Sequence, residues 1–215
     1  MIYLFVILVI IVAYLYGCFS TARIVAKGFR SLNVYKIGTG LADTENIYTN
    51  ISKPLGTLVG AIDVAKAYLF LLIVEVLLRF IDTSVINYPG FSVLYHENLM
   101  LVYGMSMLIG HCLPYNHHFR GGRGIFTYMG MLAYFAFLPT CISALIAWVI
   151  VVRFKQIRFA QYLIVILPVV LFIIFYTLIP NYHKDLPSYF ITLLLGNAVI
   201  MGILNIIVSK RLGEF

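Results

Sequence analysis

From Ile2 to Ala22 the chain carries no charged side chain, and runs of this kind recur along its length. A hydrocarbon core of about 30 Å takes roughly 20 apolar residues as a helix. The apolar runs predict seven spans: Ile2–Ala22, Leu55–Ile81, Asn98–Leu113, Ile125–Leu138, Pro139–Val152, Gln161–Ile179 and Leu186–Val208. They are too long and too evenly apolar for barrel strands, which would alternate. Almost no loop separates the fourth span from the fifth, which predicts a tight helical hairpin, and Pro168 predicts a kink in the sixth. Composition agrees. The 215 residues are 62% hydrophobic and 11% charged, against about a quarter charged in a soluble domain. No composition break divides the chain, so residues 1–215 read as one all-α integral membrane bundle. The first run lacks a basic leader and a small-residue cleavage site, so it is expected to stay as a membrane helix.

The loops orient the bundle. Arg23, Lys27, Arg30, Lys36, Lys53, Arg120, Arg123, Arg153, Lys155, Arg158, Lys210 and Arg211 fall on one side in the seven-span arrangement; Arg79 and Lys184 fall on the other. This bias places the N-terminus outside and the C-terminus in the cytoplasm. Some of these cations serve only to set topology. Cys18, Cys112 and Cys141 show no CxxC spacing, so neither a disulfide framework nor a zinc site is expected.

The most informative cytoplasmic stretch is Gly110 to Thr127, where Gly121, Gly122 and Gly124 interleave with Arg120 and Arg123. Glycines let backbone N–H groups turn toward one point. A helix beginning just after them favours negative charge at its N-terminus, and arginine forks match phosphate oxygens. The pattern describes a phosphate cradle, though not a Walker A loop, because no Lys-Ser or Lys-Thr follows the glycines. A flexible topology-setting loop is the plainer alternative. A weaker polar stretch runs from Gly38 to Asn50. Within the second span, Asp63 and Lys66 lie three apart on one face and either pair with each other or line a site. Glu75 shows no evident partner. His111 ends a span beside the glycine loop as a candidate base or anion ligand, or as a helix-end histidine bonded to backbone.

Taken in order, these segments resemble the bacterial acyl-phosphate:glycerol-3-phosphate acyltransferases of the PlsY type. Gly17-Cys18-Phe19-Ser20-Thr21 stands where that family has G-S-I-P. Gly38 to Asn46 stands where it has G-S-G-N-x-G-A-T-N. Asp63 and Lys66 match its D-x-x-K-G, with Ala67 for the glycine. Gly110, His111, Pro114, Phe119, Gly121, Gly122, Gly124 and Thr127 match its G-H-x-F-P and F-K-G-G-K-G-V-A-T, with Arg120 and Arg123 for the two lysines. The departures are Cys18 for Ser, Thr39 for Ser, Leu41 for Asn, Asp43 for Gly and Thr49 for Arg. In the C-terminal H-R-x-N and G-T-E region only Asn205 and Glu214 line up, and Gly202 stands at the histidine position.

The resemblance implies a seven-span enzyme of the bacterial cytoplasmic membrane. It would move a fatty acyl group from acyl-phosphate to the sn-1 hydroxyl of glycerol 3-phosphate, giving lysophosphatidic acid. It implies catalytic roles for His111, Thr39, Asn46 and Lys66, phosphate binding by Arg120, Gly121, Gly122, Arg123, Gly124 and Thr127, and Asn205 as the remnant of the third motif. The Gly121–Gly124 loop, Asn46 and Lys66 should then converge on one cytoplasmic-side pocket open to the bilayer. No cofactor, metal or nucleic acid is implied. The eroded third motif motivates an alternative, a silent or retargeted relative that binds lipid phosphate or a protein. Transport is disfavoured, because the halves show no repeat and no matching broken helices.

Overall fold

The computed structural model describes residues 2–86, 90–180 and 186–213. Lys184, read above as an outer-side cation, and Glu214, read as a third-motif position, lie outside them. The described residues are helical, with no strand among them.

The first helix, α1, runs Ile2–Gly17 and stops short of the expected Ala22. Hydropathy alone cannot show the reason. Ser20 turns to extended backbone, and its side chain accepts from the Arg23 N–H at 3.3 Å, capping a new helix α2 over Thr21–Arg30. Helix α2 buries Ala22, Val25 and Ala26. A second unforeseen helix, α3, covers Thr44–Asn50 inside the stretch read as loop, with Asp43 as its cap through the Asn46 N–H at 2.9 Å. Seven residues of ordinary helix propensity leave little trace in a sequence.

The remaining helices follow the expected runs more closely. Helix α4 is Lys53–Ile81, α5 is Glu97–Cys112 and α6 is Ile125–Phe135. Helix α7 is Phe137–Val149, α8 is Ile157–Leu178 with Pro168 inside it, and α9 is Phe190–Arg211. Ala136 alone separates α6 from α7. Four helical stretches are long and apolar enough to cross a bilayer: Ile2–Phe29, Phe137–Phe154, Ile157–Leu178 and Phe190–Arg211. Helix α4 is 29 residues long and carries internal charges, whereas α6, at 11 residues, reaches only about 17 Å.

Helix α1 packs on α5, α4 on α6, α7 on α8, and the short α3 on α4. Tyr103, Met107, Leu108, Tyr128, Met131 and Leu132 are fully enclosed at the centre. Outward, Leu4, Ile7, Leu8, Ile11, Ile73, Val76, Trp148, Ile166, Val199 and Ile203 stand exposed. An apolar surface of this extent belongs against lipid.

The α1–α5 crossing depends on missing side chains. A Cβ added at Gly17 would sit 2.0 Å from the Met107 carbonyl oxygen, and one at Gly110 would sit 2.1 Å from that of Tyr14. Such small-residue contacts let helix backbones approach in a membrane. Ser106 Oγ donates to the Ile10 carbonyl at 2.8 Å and the Tyr14 hydroxyl to that of Leu113 at 2.8 Å, which fixes the register. Gly110→Ala should therefore destabilise the detergent-solubilised protein by about 1–3 kcal/mol. Gly196→Ala, whose added Cβ meets nothing within 4 Å, should not. Equal thermal unfolding of the two variants would contradict this account of the crossing.

Candidate active site

The break between α1 and α2 is where the intramembrane charges meet. Asp63 and Lys66 are both buried and pair at 2.9 Å, one of the two outcomes their spacing allowed. The carboxylate also accepts from the Thr21 hydroxyl at 2.8 Å. The ammonium donates to the Phe19 carbonyl at 3.0 Å and lies 3.2 Å from His111 Nδ1. An ammonium has three donors and no acceptor, so these partners use all of its hydrogens. Nδ1 must then accept, which leaves the neutral ring's proton on Nε2. Glu75, which showed no partner in the sequence, has two. It binds Arg79 four residues on, at 2.8 and 2.9 Å, and accepts from the Tyr134 hydroxyl. The i,i+4 spacing was the overlooked signal.

The glycine loop folds back over His111. Gly122 N–H donates to the His111 carbonyl at 3.4 Å. A Cβ at Gly121 would meet that same carbonyl oxygen at 2.1 Å; one at Gly122 would meet Asp43 Cβ at 2.7 Å and His111 Nε2 at 3.1 Å. Both glycines are therefore required by the close approach of the protein's own backbone and side chains. Gly124, at φ 76°, ends the loop, and α6 starts at Ile125 as expected.

The two arginines part company. Arg120 is exposed and lines a cavity of about 590 Å³ with Thr39, Gly121 and Arg211. Arg123 is buried: its Nη1 donates to Ser209 Oγ at 3.0 Å, its Nε lies 3.6 Å from Glu45 Oε2, and its carbonyl accepts from Asn205 Nδ2 at 3.4 Å. Glu45 Oε2 also receives Gln161 Nε2 at 2.8 Å and Arg158 at 3.2 Å, tying α3 to α8. Arg158, counted above among the topology-setting cations, thus has a specific partner. Arg211 donates to the Phe119 carbonyl.

Asn46 is wholly buried and gives its side-chain N–H groups to the carbonyls of Val34, Ile37 and Leu41 at 2.8–3.2 Å. Its Oδ1 accepts from the Thr39 N–H at 3.2 Å and from Asn50 Nδ2 at 3.0 Å. In this structure Asn46 shapes the first loop. Thr127 is also fully enclosed, and its hydroxyl makes no hydrogen bond. Asn46, Lys66 and the glycine loop do not line one described cavity together. His111, Arg123 and Gly124 do share one, of about 20 Å³, with Asp43, Thr44, Glu45 and Asp63. It adjoins an apolar groove of about 260 Å³ lined by Met129, Ala144, Ala147 and Trp148, and the two share Thr44, Glu45, Ile125, Phe126 and Gln161.

Asp43, Ser209 and Arg211 are not among the site residues expected from the sequence. Asp43 is buried, and burial pushes its carboxyl up to about 6; the Asn46 N–H and Arg123 oppose the rise, while Glu45 adds to it.

The sequence model of the glycerol-3-phosphate acyltransferase family matches residues 7–210. The chain belongs to that family. A glycerol-3-phosphate acyltransferase of Mycoplasma mobile is 28% identical over 183 residues, covering 85% of this chain and 70% of the relative. One from Mycoplasma capricolum is 29% identical over 156 residues, 73% of this chain and 56% of the relative. One from Shouchella clausii is 26% identical over 187 residues, 87% and 83%. Crystal structures of PlsY, an integral membrane glycerol 3-phosphate acyltransferase, in its glycerol 3-phosphate and lysophosphatidic acid forms, superpose with TM-scores of 0.69 and 0.67. Each covers 96% of this chain and 88% of that one at 18% identity, a likeness of fold.

Gly202 is the position at which the sequence resemblance expects a histidine. It lines an apolar cavity of about 400 Å³ together with α8 residues, and an added Cβ there would meet nothing within 4 Å.

Two stability tests follow from this geometry. Lys66→Met leaves Asp63 buried without its counter-ion and should cost about 3–5 kcal/mol. The Asp63→Asn/Lys66→Met double variant should be less destabilised than Lys66→Met alone in thermal unfolding. For Asp43 the folded carboxyl titrates above its unfolded value, so the native state holds a proton that the unfolded chain has lost between about pH 4 and 6. Its contribution is full in acid and is lost as pH rises to about 6, on the order of 3 kcal/mol. Asp43→Asn should abolish that part of the pH dependence, and a stability difference between variant and wild type that stays flat over this range would contradict the assignment.

Proposed function

We infer that this chain transfers a fatty acyl group from acyl-phosphate to the sn-1 hydroxyl of glycerol 3-phosphate, releasing phosphate to water and lysophosphatidic acid to a bacterial cytoplasmic membrane. The observation that carries the reading is His111 held by Lys66 beneath the Gly121–Gly124 loop, beside an apolar groove, in a chain of this family. Family membership favours the enzyme over a silent relative. On this reading α1, α4, α5, α6, α7, α8 and α9 are the seven spans, α6 crossing only part of the hydrocarbon. The N-terminus is outside, and α2, α3 and the glycine loop lie on the cytoplasmic face with the C-terminus.

The donor is already activated, so the protein's part is positioning and charge stabilisation. Both substrates are anions. Arg120 and Arg123, at the two ends of the glycine loop, supply positive charge to their phosphates, and the acyl chain takes the apolar groove. The acceptor hydroxyl gives up its proton, in the end to the departing phosphate, as its oxygen bonds to the acyl carbonyl carbon; the bond from that carbon to the phosphate oxygen breaks, and phosphate leaves with the electron pair. With Nδ1 committed to Lys66, His111 contributes its Nε2–H, a donor suited to the negative charge that develops on the acyl oxygen.

The test uses purified protein in detergent, given acyl-phosphate and glycerol 3-phosphate, with lysophosphatidic acid as the readout. Wild type should form product, and His111→Ala should lower kcat by roughly 10²–10³-fold. Full activity in His111→Ala would remove His111 from the mechanism, and no product from wild type would overturn the reading itself.

A further inference from the structure

The cavity beside His111 has about 20 Å³ of space, enough for one oxygen atom and its hydrogens. Its lining includes the ionisable side chains of Asp43, Glu45, Asp63, His111 and Arg123. Asp43 is buried, at 6% exposure, and its Oδ2 makes no hydrogen bond of ordinary geometry, the Arg123 backbone N–H being near enough only to oppose the rise in its pKa; Thr44, 8% exposed, leaves its Oγ1 buried without a hydrogen bond. Leaving such groups unpaired is costly, of the order of 1–3 kcal/mol each, and more for a charged group. They therefore mark the seat of a polar atom that the folded chain does not itself supply. Across Gly122, which has no side chain to fill the gap, stands His111 Nε2.

We propose that Asp43 is a catalytic residue of the acyl transfer, its Oδ2 taking the proton from the attacking hydroxyl seated in this cavity. The proposal rests on the acyltransferase reading above. The hydroxyl oxygen forms its bond to the acyl carbon as its proton passes to Asp43, and the carbon–oxygen bond to phosphate breaks. Asp43 then returns the proton to the departing phosphate or to water, so no other reactant is needed. His111, with Nε2 already protonated, is placed to donate and not to accept, which leaves the base to another group. The family pattern has glycine at position 43, so this is a property of the present chain.

The charged and titratable groups facing Asp43 are few. Arg123 approaches from the glycine loop, Glu45 from α3, His111 and Cys112 from α5, and Asp63 from α4. With a carboxyl titrating at about 6, the residue is ionised at neutral pH while staying a usable base.

The same lysophosphatidic acid assay, run from pH 5 to 8 on wild type, Asp43→Asn and Asp43→Ser, decides the matter. Asn and Ser both preserve an N-cap for α3, and thermal unfolding checks that each variant is folded. The expected result is a wild-type kcat that falls below about pH 6. In both variants kcat should drop about 10²–10⁴-fold, the acid limb should vanish, and KM for glycerol 3-phosphate should change little. Product from wild type with kcat unchanged in both folded variants, or an acid limb that persists in them, overturns the proposal and leaves the acyltransferase reading standing. No product from wild type overturns both.

Discussion

The ammonium of Lys66 is the joint on which the cytoplasmic half of the molecule depends. A charge inside a membrane helix costs a few kcal/mol at least unless it is paired, and a counter-ion three residues away meets only part of that cost. The rest is met by a backbone carbonyl, Phe19, which is free to accept because α1 has ended at Gly17. The third hydrogen goes to His111 on α5. Three segments distant in sequence are thus held by one group, and each arrangement requires the other. Without the break between α1 and α2 the lysine would lack an acceptor. Without the lysine, the Phe19 carbonyl in the open turn would lose its side-chain donor.

The same economy explains why the sequence was legible in some places and opaque in others. Uniform apolar runs announced the long helices, because hydropathy over 20 residues is hard to counterfeit. Those runs contained no information about where the backbone bends, so α1 was read through Ser20. Asp63 and Lys66 were legible because their spacing sets one helix face. Glu75 and Arg79 carried the same kind of signal. The family resemblance gives Asn46 a catalytic role, and in the structure its side chain bonds to the carbonyls of Val34, Ile37 and Leu41, the Thr39 N–H and Asn50. Side chains that bond to backbone leave no pairing pattern in a sequence. The contact of Arg123 with Ser209 spans the loop and the last helix and was equally invisible.

The glycines teach a related lesson. In the sequence Gly121 and Gly122 looked like room made for an anion. In the structure their missing side chains make room for His111, Cys112, Ala42 and Asp43. The two uses are compatible, since a loop pressed flat against α5 has its N–H groups fixed in direction. Packing is nevertheless the first reason those positions cannot carry a Cβ.

The eroded C-terminal motif bears on what the last helix is for. Position 202 has no imidazole, yet α9 still grips the loop at three points: Asn205 on the Arg123 carbonyl, Ser209 on its guanidinium, and Arg211 on the Phe119 carbonyl. The α8–α9 cavity is left apolar at position 202, and the three contacts hold the glycine loop in place. The charge balance around that loop is consistent with this division. Asp63 and Lys66 cancel, Glu45 is shared between Arg123 and Arg158, and Arg120 and Arg211 stand beyond them around the larger cavity. The surplus is positive and lies on the loop side of the buried pair. A doubly charged phosphate would meet that surplus before reaching the tightly packed pocket beside His111, where Asp43 adds negative charge.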